Sequence, residues 1–136
     1  MNISIRHFNE EHYTEWNHVI PLLQEFQSKL KERDPNTPSL SHWMTLLVDL
    51  YNTGGTVSIL YEDGKPVAAA MVGEVMDFHY GGKVDSLYGL VGKSHTGRLL
   101  REVCRYRISM FGATTLLYTQ HKNGLHINKS FDLTRF

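Results

Sequence analysis

The stretch TVSILYEDGKPVAAAMVGEV, from Thr56 to Val75, limits the architectures open to this chain more than any other segment. Two extended runs flank Glu62-Asp63-Gly64-Lys65. Asp-Gly supplies the positive φ angles that a tight two-residue turn needs, so the runs predict an antiparallel hairpin.

Helical and extended signals surround this hairpin. ISIRHF alternates apolar and polar residues and predicts a first strand over about residues 2–8. From Asn9 the apolar positions fall at Tyr13, Trp16, Val19/Ile20, Leu23, Phe26 and Leu30, the spacing of one helical stripe. Pro21 within that stripe removes a backbone donor and predicts a kink or a break into two helices. RDPNTPS is a loop, and Ser39 or Ser41 is placed to cap a second helix through HWMTLLVDLY. After the hairpin, HYGGK marks a turn and VDSLYGL a strand. A helix then starts near Gly97 and ends at FGA. Its apolar side carries Leu100, Val103/Cys104, Ile108 and Phe111, and its other side Arg98, Arg101 and Arg105. TTLLYTQ is the last clear strand, and the tail HKNGLHINKSFDLTRF holds a short helix and a stub of strand. The order β-α-α-β-β-β-α-β, without internal repeats, predicts a mixed α/β (α+β) domain on a largely antiparallel sheet. A chain of 136 residues fits one such domain over its whole length, 1–136.

Composition narrows the functional classes. No apolar run approaches a membrane span, and the first twenty residues lack a signal-peptide core. The single cysteine, Cys104, excludes an internal disulfide and fits a reducing compartment, so the cytoplasm is expected. Net charge is zero but unevenly spread. Residues 1–80 hold five Lys/Arg against eleven Asp/Glu, and residues 81–136 hold nine against three. Internal pairing between the halves explains that split, and so does an anionic ligand facing the C-terminal half. Nucleic acid is disfavoured, since such a protein is usually basic overall. Eight histidines raise the question of metal. His121 and His126 lack a Cys or carboxylate at ligand spacing, and no metal is expected. Nothing marks Cys104, on the presumed core side of its helix, as a nucleophile.

The segment LVGKSHTGRLLREVCRYRISMFGA carries the sharpest functional signal. Gly92-Lys93-Ser94 invites a nucleoside-triphosphate loop, but that pattern needs glycine where Leu87 stands. What remains is a strand, a glycine-containing loop and a helix N-terminus, whose unpaired amides and dipole suit an anion. Gly92 and Gly97 permit close approach, Lys93 and Arg98 add charge, and Ser94 and Thr96 add hydroxyls.

In element order, lengths and the YEDGKPVAAAMVGEV hairpin, the chain resembles the GNAT-type N-acetyltransferase superfamily, from the first strand to about Asn123. Its compact length is similar to small members encoded by bacteriophages, which would place it in host cytoplasm. The resemblance implies acetyl-coenzyme A as co-substrate and an amine acceptor. It implies that VDSLYGL and TTLLYTQ are adjacent and parallel, joined by the 97–111 helix, and splayed to admit pantetheine. The backbone at Leu87, Tyr88 and Gly89 would hold the pantetheine. The amides of Gly92, Lys93, Ser94, His95, Thr96, Gly97 and Arg98 would hold the pyrophosphate. In the family's Arg/Gln-x-x-Gly-x-Gly/Ala loop, Gly97 takes the last glycine, His95 the first and Gly92 the Arg/Gln, so one of three positions is met. Asn123 takes the place of a second motif. Glu74 or Asp85 falls where the family puts its base, and Ser130 stands where it commonly has a general-acid Tyr. A thin acceptor wall, or a homodimer completing it, follows from the same resemblance. So do two functional readings: an acyl-coenzyme A-dependent N-acyltransferase, or a catalytically inactive accessory, virion or host-interaction protein of the same fold.

Overall fold

The structure, a computed structural model, describes residues 2–9, 16–122 and 125–136. The chain runs β1 (Ile3–Phe8), α1 (Trp16–Arg33), α2 (Leu40–Asn52), β2 (Thr56–Glu62), β3 (Lys65–Val75), β4 (Lys83–Gly92), α3 (Thr96–Phe111), β5 (Ala113–Lys122) and β6 (Leu125–Asp132), then a 3₁₀ turn, Leu133–Arg135. The strands form one sheet in sequence order. Every neighbouring pair is antiparallel except β4 and β5, which are parallel and joined by α3, as the resemblance implies.

Local chemistry sets the elements. Asp63 and Gly64 take φ values of 51° and 81° between β2 and β3, the two consecutive positive angles of the hairpin turn. Ser39 is the residue that caps α2; its side chain accepts from the His42 amide at 3.2 Å. Pro21 does not divide the first helix: α1 continues through it to Arg33. Pro21 and Asn17, one turn earlier, are both exposed, so water can take the carbonyl that proline leaves unbonded. The tail differs from expectation more. In place of a short helix and a strand stub, β6 pairs with β5 from Thr115↔Asp132 to Lys122↔Leu125. Only the 3₁₀ turn remains of the helix, with Asp132 accepting from the Thr134 amide.

The sheet is covered on both faces. On one, α1 and α2 bury Val19, Leu22, Leu23, Leu47 and Tyr51 against Val57, Ile59, Ala69, Met71 and Val91. On the other, α3 buries Leu99, Val103 and Cys104 against Leu60, Ala68, Ala70, Val72 and Leu116. The innermost line of α3 is therefore Leu99, Val103 and Arg107, with Leu100 and Ile108 only partly buried beside it. Among the described residues, no helix is long and apolar enough to cross a membrane.

Candidate active site

Two features of the sheet converge on β4. The first is a bulge. Met71 pairs with Gly89 and Val72 with Leu87, which leaves Tyr88 as the extra residue of β4 and 56% exposed. A bulge bends its strand and strengthens the local twist. The second is a break in pairing. β4 and β5 pair only from Lys83↔Ala113 to Ser86↔Leu117, although β4 runs on to Gly92 and β5 to Lys122. Beyond Ser86, β4 keeps its bonds to β3 but has no ladder on its β5 side. The backbone of Leu87, Tyr88 and Gly89 thus borders an opening, and its outward amide and carbonyl groups suit an extended chain of amides.

At the far end of β4 the loop divides by function. Gly92 has φ +153°, and a Cβ there would lie 2.6 Å from the Val67 carbonyl oxygen. That same carbonyl accepts the Lys93 amide at 2.9 Å. Close packing against β3 therefore accounts for Gly92, and the Lys93 amide is already committed. The Lys93 side chain reaches α1, with Nζ 3.5 Å from Glu25. His95 takes a left-handed conformation at the N-cap of α3, φ 60°, and its ring lies 3.5 Å from Glu62. It offers no side-chain cap to the helix, and no acidic residue occupies the first turn. Gly97 lies in that first turn without a positive φ, and a Cβ there would meet nothing within 4 Å. The first amides of α3 are uncapped by the His95 side chain and lie at the positive end of the helix. Ser94 is half-buried between Lys93 and His95.

The charge split also resolves. Arg105 bonds Glu102 at 2.8 Å and Arg107 pairs with Asp85. Arg98 and Arg101, both exposed, have no acidic partner among the described residues. Internal pairing and an uncompensated surface at the start of α3 are both present.

Of the catalytic candidates, Glu74 and Asp85 are directly opposite each other in the β3–β4 ladder. Glu74 is exposed. Asp85 is 2% exposed, and both its oxygens accept from Arg107, Nε and Nη2 each at 2.9 Å. Arg107 Nη1 also donates to the Gly54 carbonyl and to Thr56 Oγ1, both at 3.0 Å, and its guanidinium lies over the Phe111 ring. This buried network ties α3 to β2, β4 and the end of α2. Arg107 falls outside the apolar side that the sequence predicts for this helix, yet it is buried. The available signal is the spacing of four from Leu99 and Val103, opposite the one acid within VDSLYGL. Ser130 is exposed on β6 and pairs with Leu117, the last β5 residue bonded to β4. It stands away from Glu74 and Asp85, which belong to the β3–β4 side of the opening. Asn123 lies outside the described residues, as do the side chains of His121 and His126. Among the described residues, no three His, Cys, Asp or Glu side chains gather as a metal site. Burial, with Asp85 nearby, pushes the Cys104 thiol up to about 11, which leaves it inert. Tyr88 is also raised above its ordinary value, by partial burial and then by Asp85.

No family model matches the chain, and no curated protein matches it. Solved structures do. A GNAT family acetyltransferase from Staphylococcus aureus superposes with a TM-score of 0.63 at 12% identity, covering 95% of this chain and 94% of its own. An aminoglycoside acetyltransferase from an uncultured soil metagenomic sample gives 0.62 at 15% identity, over 90% of this chain and 82% of its own. A ribosomal-protein-alanine N-acetyltransferase from Brucella melitensis gives 0.62 at 12%, again over 90% and 82%. The chain has the GNAT fold. The β4 bulge, the unpaired stretch of β4 and the uncapped start of α3 follow one another along the chain.

Proposed function

We propose that the chain is an acyl-coenzyme A-dependent N-acyltransferase, moving an acetyl group to an amine of a small molecule or a protein. The observation that carries this reading is the parallel β4–β5 pair that stops at Ser86↔Leu117 while both strands continue. An open strand edge leading to uncapped helix amides matches a ligand with an amide-bearing arm and a pyrophosphate. Open space over Gly97 leaves room for that pyrophosphate. The acetyltransferases of the same fold support the reaction class, and none of the structures described above favours the inactive accessory alternative.

When bound, the thioester supplies the acyl group, and the residues of this chain do the rest. The backbone at Leu87, Tyr88 and Gly89 holds the extended arm. The amides of Thr96, Gly97 and Arg98 hold the pyrophosphate, with Arg98 and Arg101 adding charge. Glu74, exposed on β3 opposite Asp85, is the group assigned to take the proton from the attacking amine, directly or through water. Asp85 serves structure instead, since both oxygens are engaged by Arg107. Ser130, the hydroxyl in the place of the usual tyrosine, borders the end of the β4–β5 pairing through Leu117 and is the available donor on that wall.

Calorimetric titration with acetyl-coenzyme A tests the reading at its base. Binding that is lost in Gly97→Glu with the fold retained supports it. No heat and no thermal stabilisation at millimolar ligand would remove it, because a ligand at a hundredfold its Kd stabilises by about 2.7 kcal/mol.

A further inference from the structure

The turn between β3 and β4 carries the two most exposed large apolar side chains among the described residues. Met76 is 87% exposed and Phe78 93%, and Tyr80 follows at 40%. Polar contacts fix the shape of this turn without covering those side chains. Asp77 accepts the His79 amide at 2.7 Å, and its carboxylate lies 3.4 Å from the His79 ring. At the other end, the Thr114 hydroxyl lies 3.3 Å from the Gly81 carbonyl oxygen and 3.1 Å from that of Lys83. Side chains as exposed as Met76 and Phe78 contribute almost nothing to folding. Their apolar surface gains free energy only when a partner covers it.

Position and charge say what that partner is. Glu74, the group assigned to the acceptor amine, is the penultimate residue of β3. Met76 follows it by two positions, about 7 Å along an extended strand, and Phe78 by four, at most about 14 Å. An acceptor whose amine meets Glu74 therefore has both side chains within reach. From Glu74 to Gly82 the chain holds two acids, Glu74 and Asp77, and no Lys or Arg. Carboxylates beside exposed apolar groups complement a cationic amine with apolar neighbours. Shape narrows the class further. Small-molecule sites are concave and enclose most of their ligand, whereas side chains that project from a hairpin turn enclose nothing. Only a molecule long enough to run from Glu74 across the turn can use them. A polypeptide does so within about two to four residues.

Resting on the N-acyltransferase reading above, we infer that the acceptor is a polypeptide, and that Met76 and Phe78 dock apolar side chains about two to four residues from the acylated amine. The turn takes no part in the bond changes. The acyl carbon exchanges its bond to sulfur for one to nitrogen, the amine gives up one proton, and the departing thiolate gains one.

Two peptide pairs test the assignment. Gly-Gly-Phe-Leu amide and Gly-Gly-Ser-Asn amide present an N-terminal amine. N-acetyl-Lys-Phe-Leu amide and N-acetyl-Lys-Ser-Asn amide present a side-chain amine. The experiment measures kcat and KM from thiol release at saturating acetyl-coenzyme A, with a melting curve and a calorimetric titration of the coenzyme for each protein. In at least one pair the apolar member should be preferred about tenfold or more, through KM rather than kcat. Phe78→Ser should lose part of that preference and Met76→Ser/Phe78→Ser all of it. Both variants should melt, bind acetyl-coenzyme A and acylate the polar peptides as the original protein does. Equal treatment of apolar and polar members overturns the assignment, and so does a preference that the double variant retains. Failure of all four peptides to react with a protein that binds acetyl-coenzyme A overturns it as well. A double variant that loses the polar peptides or the coenzyme to the same extent makes the turn part of the reaction site and also overturns it. Absence of acetyl-coenzyme A binding to the original protein sinks the transferase reading and this assignment with it.

Discussion

The β2–β3 hairpin and the β4–β5 pair lie in one sheet but are held by different forces. Between β2 and β3 the ladder runs from Thr56↔Val72 to Glu62↔Lys65, interrupted only by a bulge at Val67. Ile59, Leu60 and Ala68 to Ala70 have no exposed surface. Between β4 and β5 four pairs suffice, and the strands then continue unbonded. Beside the second pair, Arg107 of α3 grips Asp85 on β4 and Thr56 on β2. A sheet that seals itself everywhere has no place for an extended ligand. Here a buried ion pair holds α3 to β4, and β4 keeps a strand edge free beyond Ser86.

Several substitutions sharpen this contrast. The largest effect should come from Asp85→Ala, which strands a buried guanidinium and should cost about 3–5 kcal/mol in urea unfolding. Asp85→Ala/Arg107→Met should recover part of that loss, because the orphaned charge is gone. If the single variant unfolds like the original protein, β4 and α3 are held together by something else. A cut in the hairpin should cost less. Gly64→Ala meets no atom, but at φ +81° it should destabilise by about 1–2 kcal/mol. Gly97→Ala, in open space and with ordinary helical φ, should stabilise by about 0.5–1 kcal/mol. A loss of stability there would make Gly97 a structural glycine.

The smallest effect concerns pH. His7 Nδ1 lies 2.7 Å from Ser58 Oγ, and its ring stacks on Tyr106. Burial lowers its pKa from 6.5, partly offset by Glu102. The unfolded chain therefore takes up this proton at a higher pH than the folded one does. Stability should fall as pH drops through about 6.5 and level off below the folded pKa. In His7→Gln this component of the pH profile should be absent.

The parts of the fold legible in the sequence are those written in local chemistry. Asp63-Gly64 announces its hairpin, Ser39 its helix, and Gly112, with φ 71°, the end of α3. The strand β6 was legible too, through the alternation of Leu125, Ile127 and Phe131 and an Asn-Gly signal of the same kind. Arg107 was hidden because an arginine near Arg98, Arg101 and Arg105 reads as one more solvated charge. Only the three-dimensional meeting with Asp85 reveals it as core. The unpaired stretch of β4 has no periodic signature, since its residues alternate as they would in a complete sheet. The element order and the loop before α3 point to the end of β4, but do not separate Gly92, explained by contact with β3, from Gly97, where a Cβ would meet nothing within 4 Å.

The most direct test is calorimetric titration of acetyl-coenzyme A into the original protein and into Gly97→Glu, with a melting curve for each. The carboxylate fills the space over the first turn of α3 and repels a pyrophosphate. At a helix N-terminus it should leave the fold intact or add about 0.3–1 kcal/mol. Binding in the original and none in an equally stable variant is the expected result. Equal binding by the two proteins would contradict the assignment of the α3 amides, and with it the reading of the β4–β5 opening as a coenzyme site.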